Sequence, residues 1–261
     1  MQQIDFQGKK VAFYISGEGG GTPLVLLHGF CEDSRIWDEW LKLLPNQPTI
    51  RIDLPGSGNS DLPENLTIES MAEAVKTVLE KLQVEKCTLT GHSMGGYVSL
   101  AFAEKWAEML AGFCLFHSHP FADSEEKKAG RLKSIEFIKQ NGHEAYVQQL
   151  IPGLFAPEFS KNNPAVVNRL IDNALNYQPG AIIAALEAMR MRQDREDVLH
   201  KLTCPVLFII GKQDTAVPFE TSLAMSHLPA QADIRVFEEV GHMGMFEAPE
   251  ETAEVVQDFC K

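Results

Sequence analysis

A chain of 261 residues, 44% of them hydrophobic, can bury the core of one α/β domain and lies near the upper size of a single core. Its 36 acidic side chains against 23 lysines and arginines leave a formal charge of −13, and repulsion of that sign excludes phosphate backbones and anionic lipid surfaces as natural partners. No run reaches the eighteen or so apolar residues of a membrane span, and the N-terminal segment lacks the apolar stretch of a secretory signal, so a soluble, cytoplasmic protein is expected. The five cysteines, Cys31, Cys87, Cys114, Cys204 and Cys260, are an odd set without CxxC spacing. They fit reduced thiols, most of them buried.

In chain order, "MQQIDFQGKKVAFYISG" alternates apolar and polar residues around Gln7-Gly8 and reads as an opening hairpin. Gly17 to Gly21 follow as a flexible turn; no strand precedes a helix there, and the Lys-Ser/Thr of a phosphate loop is absent. Short apolar runs then begin at Thr22, Pro48, Lys86, Leu110, Cys204 and Ala232. They alternate little, as strands buried on both faces of a parallel sheet do. Helix-periodic segments lie between them at Thr67 to Lys81, Met94 to Trp106, Pro218 to His227 and Pro249 to Phe259. Strand and helix alternate, which predicts an α/β, mostly parallel, doubly wound sheet. From Phe121 to Val198 no strand is expected, only helical pieces broken by Pro152, Pro157, Pro164 and Pro179. The expected organisation is a sheet core over 1–120 and 199–261 with a helical cap over 121–198. Within it, "MRMRQDRED" at 189–197 reads as a solvated helix face.

Ligands bind beyond the carboxyl ends of parallel strands. The residues there are His28-Gly29-Phe30, Asp53, Ser93, His117-Ser118-His119, Asp214 and His242. Ser93 stands out, with Gly91 and Gly95 on either side, at the end of a strand and the start of a helix. A serine hydroxyl is a feeble nucleophile unless a base reaches it and a third group orients that base. His242, after the last strand, is the candidate base, and Asp214, after "VLFII", the candidate orienting acid. Two imidazoles at 117 and 119 lack the third ligand a metal needs, so no metal is expected.

"GHSMG" at 91–95, with its strand and helix flanks, resembles the Gly-x-Ser-x-Gly nucleophile elbow of the α/β-hydrolase superfamily. "LLHGF" at 26–30, "DLPGSGNS" at 53–60, "GKQD" at 211–214 and "GHMGMFEAPE" at 241–250 resemble that family's other site segments. The resemblance implies an α/β-hydrolase fold and an oxyanion hole made by the amides of Phe30 and Met94, with Asp53 and Ser57 in structural roles. His28, Gly29, His117 and Ser118 are the candidates for a polar substrate-binding wall, His28 being read chiefly as a framework hydrogen-bonding residue.

The function expected is a serine hydrolase acting on a small ester or related acyl substrate through a Ser-His-Asp triad and an acyl-enzyme, with no metal or organic cofactor. Carbon–carbon bond hydrolases, enol-lactonases, thioesterases and cofactor-free haloperoxidases resemble the same motif set and stay open as alternatives. Dehalogenases and most epoxide hydrolases carry aspartate at the elbow and are disfavoured. A non-catalytic ligand-binding protein of the same fold is the alternative of another class. Substrate identity and oligomeric state are not legible in the sequence.

Overall fold

All six apolar runs become strands in the computed structural model, which describes residues 1–261: β3 (Leu24–Leu27), β4 (Thr49–Ile52), β5 (Cys87–His92), β6 (Leu110–Phe116), β7 (Val206–Gly211) and β8 (Ala232–Phe237). The expected hairpin precedes them as β1 (Gln2–Phe6) and β2 (Lys9–Ser16). Its turn places both Gln7 and Gly8 at positive φ, 55° and 77°, which is the two-residue geometry whose twist matches that of the strands it joins.

The eight strands form one sheet in the order β1-β2-β4-β3-β5-β6-β7-β8. β1 pairs with β2, and β2 with β4, antiparallel; from β4 through β8 every neighbour is parallel. The chain leaves β3 towards β4 on one side and returns to β5 on the other, with Leu27 opposite Gly91. That reversal opens a crevice between the carboxyl ends of β3 and β5, where parallel sheets hold their ligands.

One strand departs from expectation. β8 is the last in the sheet and is largely exposed, with Ile234 and Val236 open to solvent. An apolar run at an edge has no second layer over it, and an Asp233–Arg235 ion pair lies on the same strand.

Helices α1 (Ile68–Lys81) and α2 (Met94–Trp106) follow β4 and β5 and pack against each other. Thr67 and Ser70 close a reciprocal capping box at the start of α1. Every residue from Met94 to Ala103 is buried, so α2 is apolar all round because it is enclosed, not because it is amphipathic. Between β6 and β7 the chain carries α3 (Glu125–Asn141), α4 (Glu144–Leu150), α5 (Pro157–Asn162), α6 (Pro164–Leu175), α7 (Pro179–Met191) and α8 (Glu196–Lys201), and no strand. The remaining helices are α9 (Phe219–Met225), α10 (Gly244–Glu247) and α11 (Pro249–Phe259). α11 is tied to the turn at Trp40–Leu43 by a bond from Trp40 Nε1 to Thr252 Oγ1 of 3.0 Å.

The charged run at 189–197 is solvated only in part, and α7 ends at Met191 within it. Arg192 and Arg195 are buried. Arg192 donates to Asp123 Oδ1 (2.6 Å) and the Phe121 carbonyl (2.8 Å) and lies 4.0 Å over the Tyr97 ring. Arg195 reaches Glu69 of α1 and Glu104 of α2. Buried charges persist only where paired: Arg192 ties the end of the helical insertion to its beginning and lies over Tyr97 of α2, and Arg195 fastens it to α1 and α2.

Cys31, Cys87 and Cys114 are buried, Cys204 and Cys260 half-buried, and all five are unpaired thiols. No helix is long and apolar enough to cross a membrane.

Candidate active site

Ser93 has φ 51° and ψ −116°, a backbone region that costs an L-residue of order 1–3 kcal/mol unless its surroundings enforce it. They do. Its amide donates to the Phe116 carbonyl (3.1 Å), and its own carbonyl accepts from Ser118 Oγ (2.7 Å). A methyl group on Gly95 would lie 2.6 Å from the His28 carbonyl oxygen and 2.7 Å from that of Leu27, and one on Gly91 would strike the Gly95 carbonyl. Those contacts are with backbone, which cannot swing aside, so the close crossing of α2 over β3 requires glycine. Within Cys87–Ala103, Ser93 alone is not fully buried.

The acid and the base arrive from the far side of the sheet. Asp214 follows β7, and its Oδ1 accepts the amides of Ala216 and Val217, each at 2.8 Å. Its Oδ2 accepts from His242 Nδ1 at 2.7 Å. Burial pushes the Asp214 pKa up, but the adjacent His242, with hydrogen bonds to the carboxylate, outweighs it and holds the group well below the usual carboxylate range. With Nδ1–H committed to Asp214, His242 Nε2 is the nitrogen left to accept a proton. The loop carrying His242 is held by its neighbours: its amide donates to the Leu154 carbonyl (2.7 Å), and Glu247 accepts the amides of Gly241 (3.0 Å), Met243 (2.9 Å) and Ala156 (2.8 Å).

Ser93 and His242 both line a cavity of about 600 Å³, with Phe30 and Tyr97 from the core and Tyr146, Leu154 and Met189 from the helical insertion. The volume is that of a small-molecule pocket. The Phe30 amide has no hydrogen-bond partner, and Met94 opens α2, where amides have no carbonyl one turn back.

None of the four residues expected to form a polar substrate wall lines this cavity. His28 is fully buried, its Nε2 accepting the Leu54 amide (2.9 Å) and its Nδ1 donating to the Gly29 carbonyl (2.8 Å). Gly29 is spent on a close approach to the elbow, and Ser118 buttresses Ser93 from behind. His117 is buried without a hydrogen bond, its Nδ1 3.5 Å from Asp214 Oδ2. Burial pushes its pKa down to about 4, which keeps the ring neutral. Asp53 is buried and accepts the amides of Ser34 (3.0 Å) and Asn59 (2.9 Å), a framework role.

Sequence reasoning assigned no role to Glu32, two residues beyond "LLHGF", or to His92 and Glu247, which stand inside "GHSMG" and "GHMGMFEAPE". It also passed over the insertion residues that complete the cavity, which depend on how helices pack.

The sequence pattern of the alpha/beta hydrolase family matches residues 24–255. Among curated proteins the chain is similar to 3-oxoadipate enol-lactonase 1 of Acinetobacter baylyi, 25% identical with 98% of this chain and 94% of that protein covered. Among solved structures it is similar to a thermophilic esterase of Thermogutta terrifontis, determined with malate bound, at TM-score 0.92 and 30% identity over 99% of this chain and 98% of that one. An enol-lactonase from Burkholderia xenovorans LB400 shares the fold at TM-score 0.91, with 21% identity and 99% of each chain covered. A strained serine between glycines at the switch point of a mostly parallel eight-stranded sheet, and a family pattern spanning nearly the whole chain, lead to one conclusion: the chain belongs to the alpha/beta hydrolase family.

Proposed function

We propose that the protein is a serine hydrolase that cleaves a small ester or related acyl substrate, with Ser93 as nucleophile, His242 as base and Asp214 as orienting acid. Ser93 Oγ attacks the carbonyl carbon while His242 Nε2 takes its proton. The amides of Phe30 and Met94 receive the oxyanion, and the positive end of α2 adds to them. The tetrahedral intermediate collapses as His242 returns the proton to the leaving oxygen, giving alcohol and acyl-enzyme. Water then attacks the acyl carbon with His242 again as base, releasing acid and free Ser93. Asp214 stays an anion throughout and stabilises the imidazolium. The helical insertion, residues 121–198, serves as the cap that closes the site and shapes substrate entry.

The observation that carries this reading is the 2.7 Å bond between His242 Nδ1 and Asp214 Oδ2 in a cavity that His242 shares with Ser93. The likeness to an esterase at 30% identity supports the ester substrate. A second reading, a lactone in which the leaving oxygen stays tethered to the acyl group, is favoured by the enol-lactonase likenesses. Ser93→Ala and His242→Ala should each abolish turnover of p-nitrophenyl acetate with an unchanged far-ultraviolet circular dichroism spectrum. Retained turnover in either refutes the assignment, and a panel of lactones against open-chain esters separates the two substrates.

A further inference from the structure

The triad has a second carboxylate and a second imidazole beside it, Glu32 at the wall of the cavity and His92 fully buried. Glu32 lies two residues beyond Phe30, and His92 immediately precedes Ser93; their side chains are 5% and 0% exposed. Glu32 Oε2 accepts the Gly29 amide at 2.7 Å and lies 3.0 Å from His92 Nδ1. The other ring nitrogen, His92 Nε2, lies 2.9 Å from the backbone carbonyl oxygen of His242. A methyl group on Gly29 would come within 2.7 Å of Glu32 Oε2, 2.8 Å of His92 Nδ1 and 3.1 Å of Ser93 Cβ. Glycine at 29 is what lets the carboxylate approach the nucleophile so closely.

Both nitrogens of His92 thus face acceptors. A carbonyl oxygen cannot donate, and the carboxylate oxygen is already accepting an amide. A neutral imidazole beside an ionised carboxylate carries one N–H and would leave one of these contacts as lone pair against lone pair. The contact must therefore hold one further proton, and with the Glu32 carboxyl held below its ordinary range and the His92 imidazole above its own, the ring carries it, protonated on both nitrogens beside an ionised carboxylate.

Resting on the serine-hydrolase reading, we propose that Glu32 and His92 form a buried ion pair that positions the histidine loop, anchoring the His242 backbone to the nucleophile elbow and to the oxyanion loop at once. His92 and Glu32 are positioning residues: they act through His242 and through the Gly29–Phe30 backbone. Burial opposes both charges, yet each partner's charge outweighs it, holding the Glu32 carboxyl below its ordinary range and the His92 imidazole above its own. The other groups facing His92 are the rings of His242 (5.0 Å between centroids) and His117 (6.3 Å), with Asp214 behind them. Asp214 favours the cation and His117 is neutral. Trp37 and Phe116 complete the enclosure with apolar rings.

When the pair loses its proton, the one remaining N–H stays on Nδ1 against the carboxylate. Nε2 then presents a lone pair to the His242 carbonyl, and the anchor is gone. Activity should fall on the alkaline side through this pair. Removing the Glu32 charge lowers the His92 pKa, so the alkaline limb moves to lower pH.

The test uses histidine-labelled protein and the ester assay together. In the wild type at pH 7.5, 1H–15N correlation should show His92 protonated at both nitrogens; a neutral His92 ring would overturn the proposal without any variant. In Glu32→Gln, the His92 titration and the alkaline limb of kcat should both move down by about one pH unit or more. kcat at pH 8 should fall about tenfold through misplacement of the base, with KM changed far less. Ser93→Ala separates the two levels. Retained turnover there removes the hydrolase reading and the positioning role with it, whereas an inactive Ser93→Ala beside a Glu32→Gln profile superimposable on wild type overturns the ion-pair proposal alone.

Discussion

Gly95 shows how much of the chemistry rests on an absent side chain. Its Cα passes so close to the Leu27 and His28 carbonyls that any Cβ would sit inside their contact distance. Gly95→Ala should force the elbow open, destabilising the protein by about 2 kcal/mol, the usual scale of overpacking, and lowering kcat more than that loss explains; urea unfolding and steady-state kinetics on one sample check both. Asp214→Asn tests the opposite end of the relay. It keeps the shape but removes the carboxylate bonded to His242 Nδ1, and kcat should fall by roughly 10⁴, the scale of the corresponding substitution in chymotrypsin-type proteases. The placement of the candidate triad residues at strand ends was legible in the sequence. Ser93, Asp214 and His242 each follow a strand and stand in recognisable turns, and the folded chain brings Asp214 to His242 and His242 to the cavity of Ser93. The polar wall was not legible. His117 and Ser118 follow β6, the strand beside β5, and both turn into the framework; a sequence gives no direction to a side chain in a loop.

Elements were legible where burial was uniform and misleading where it was not. The runs that became β3 to β7 are enclosed, so apolar composition and strand coincide. β8 has the same β-branched character without the enclosure, because only its place in the sheet order leaves it at the edge. The run at 189–197 fails for the converse reason. Its charges suggest water, yet Asp123 waits for Arg192 from 69 residues away, and no local pattern records that pairing. The consequence is testable at the level of the insertion. Arg192→Ala leaves Asp123 to Arg131 alone and uncovers the Tyr97 ring. Because Arg131 still pairs with Asp123, the loss should stay below the about 3–5 kcal/mol of a buried charge left wholly unpaired. Limited proteolysis should then cut first within residues 121–198, and equal protection in wild type and variant would show that the arginine does not fasten the insertion.

At the scale of the whole molecule, the sheet order brings four distant loops to one crevice, and buried histidines record the cost of doing so. His117 and His119 are held neutral by burial, their pKa values pushed down to about 4 and about 3. In the unfolded chain both return to about 6.5. The unfolded state therefore binds more protons below that value, and stability falls as the pH drops from about 6.5 towards 4. Asp214 acts elsewhere: its lowered pKa contributes stability that is present above about 4 and is lost only in stronger acid. The urea midpoint should decline between pH 6.5 and 4, and His117→Asn should flatten part of that slope. An unchanged slope would show that the ring does not stay neutral in the folded protein.

Peptide mapping after brief exposure to a fluorophosphonate measures directly whether the imidazole at 242 makes the hydroxyl at position 93 nucleophilic. Wild-type protein should carry a single adduct, on Ser93, and His242→Ala should lose it. An adduct on another residue, or full labelling of Ser93 in the His242→Ala protein, would contradict the account.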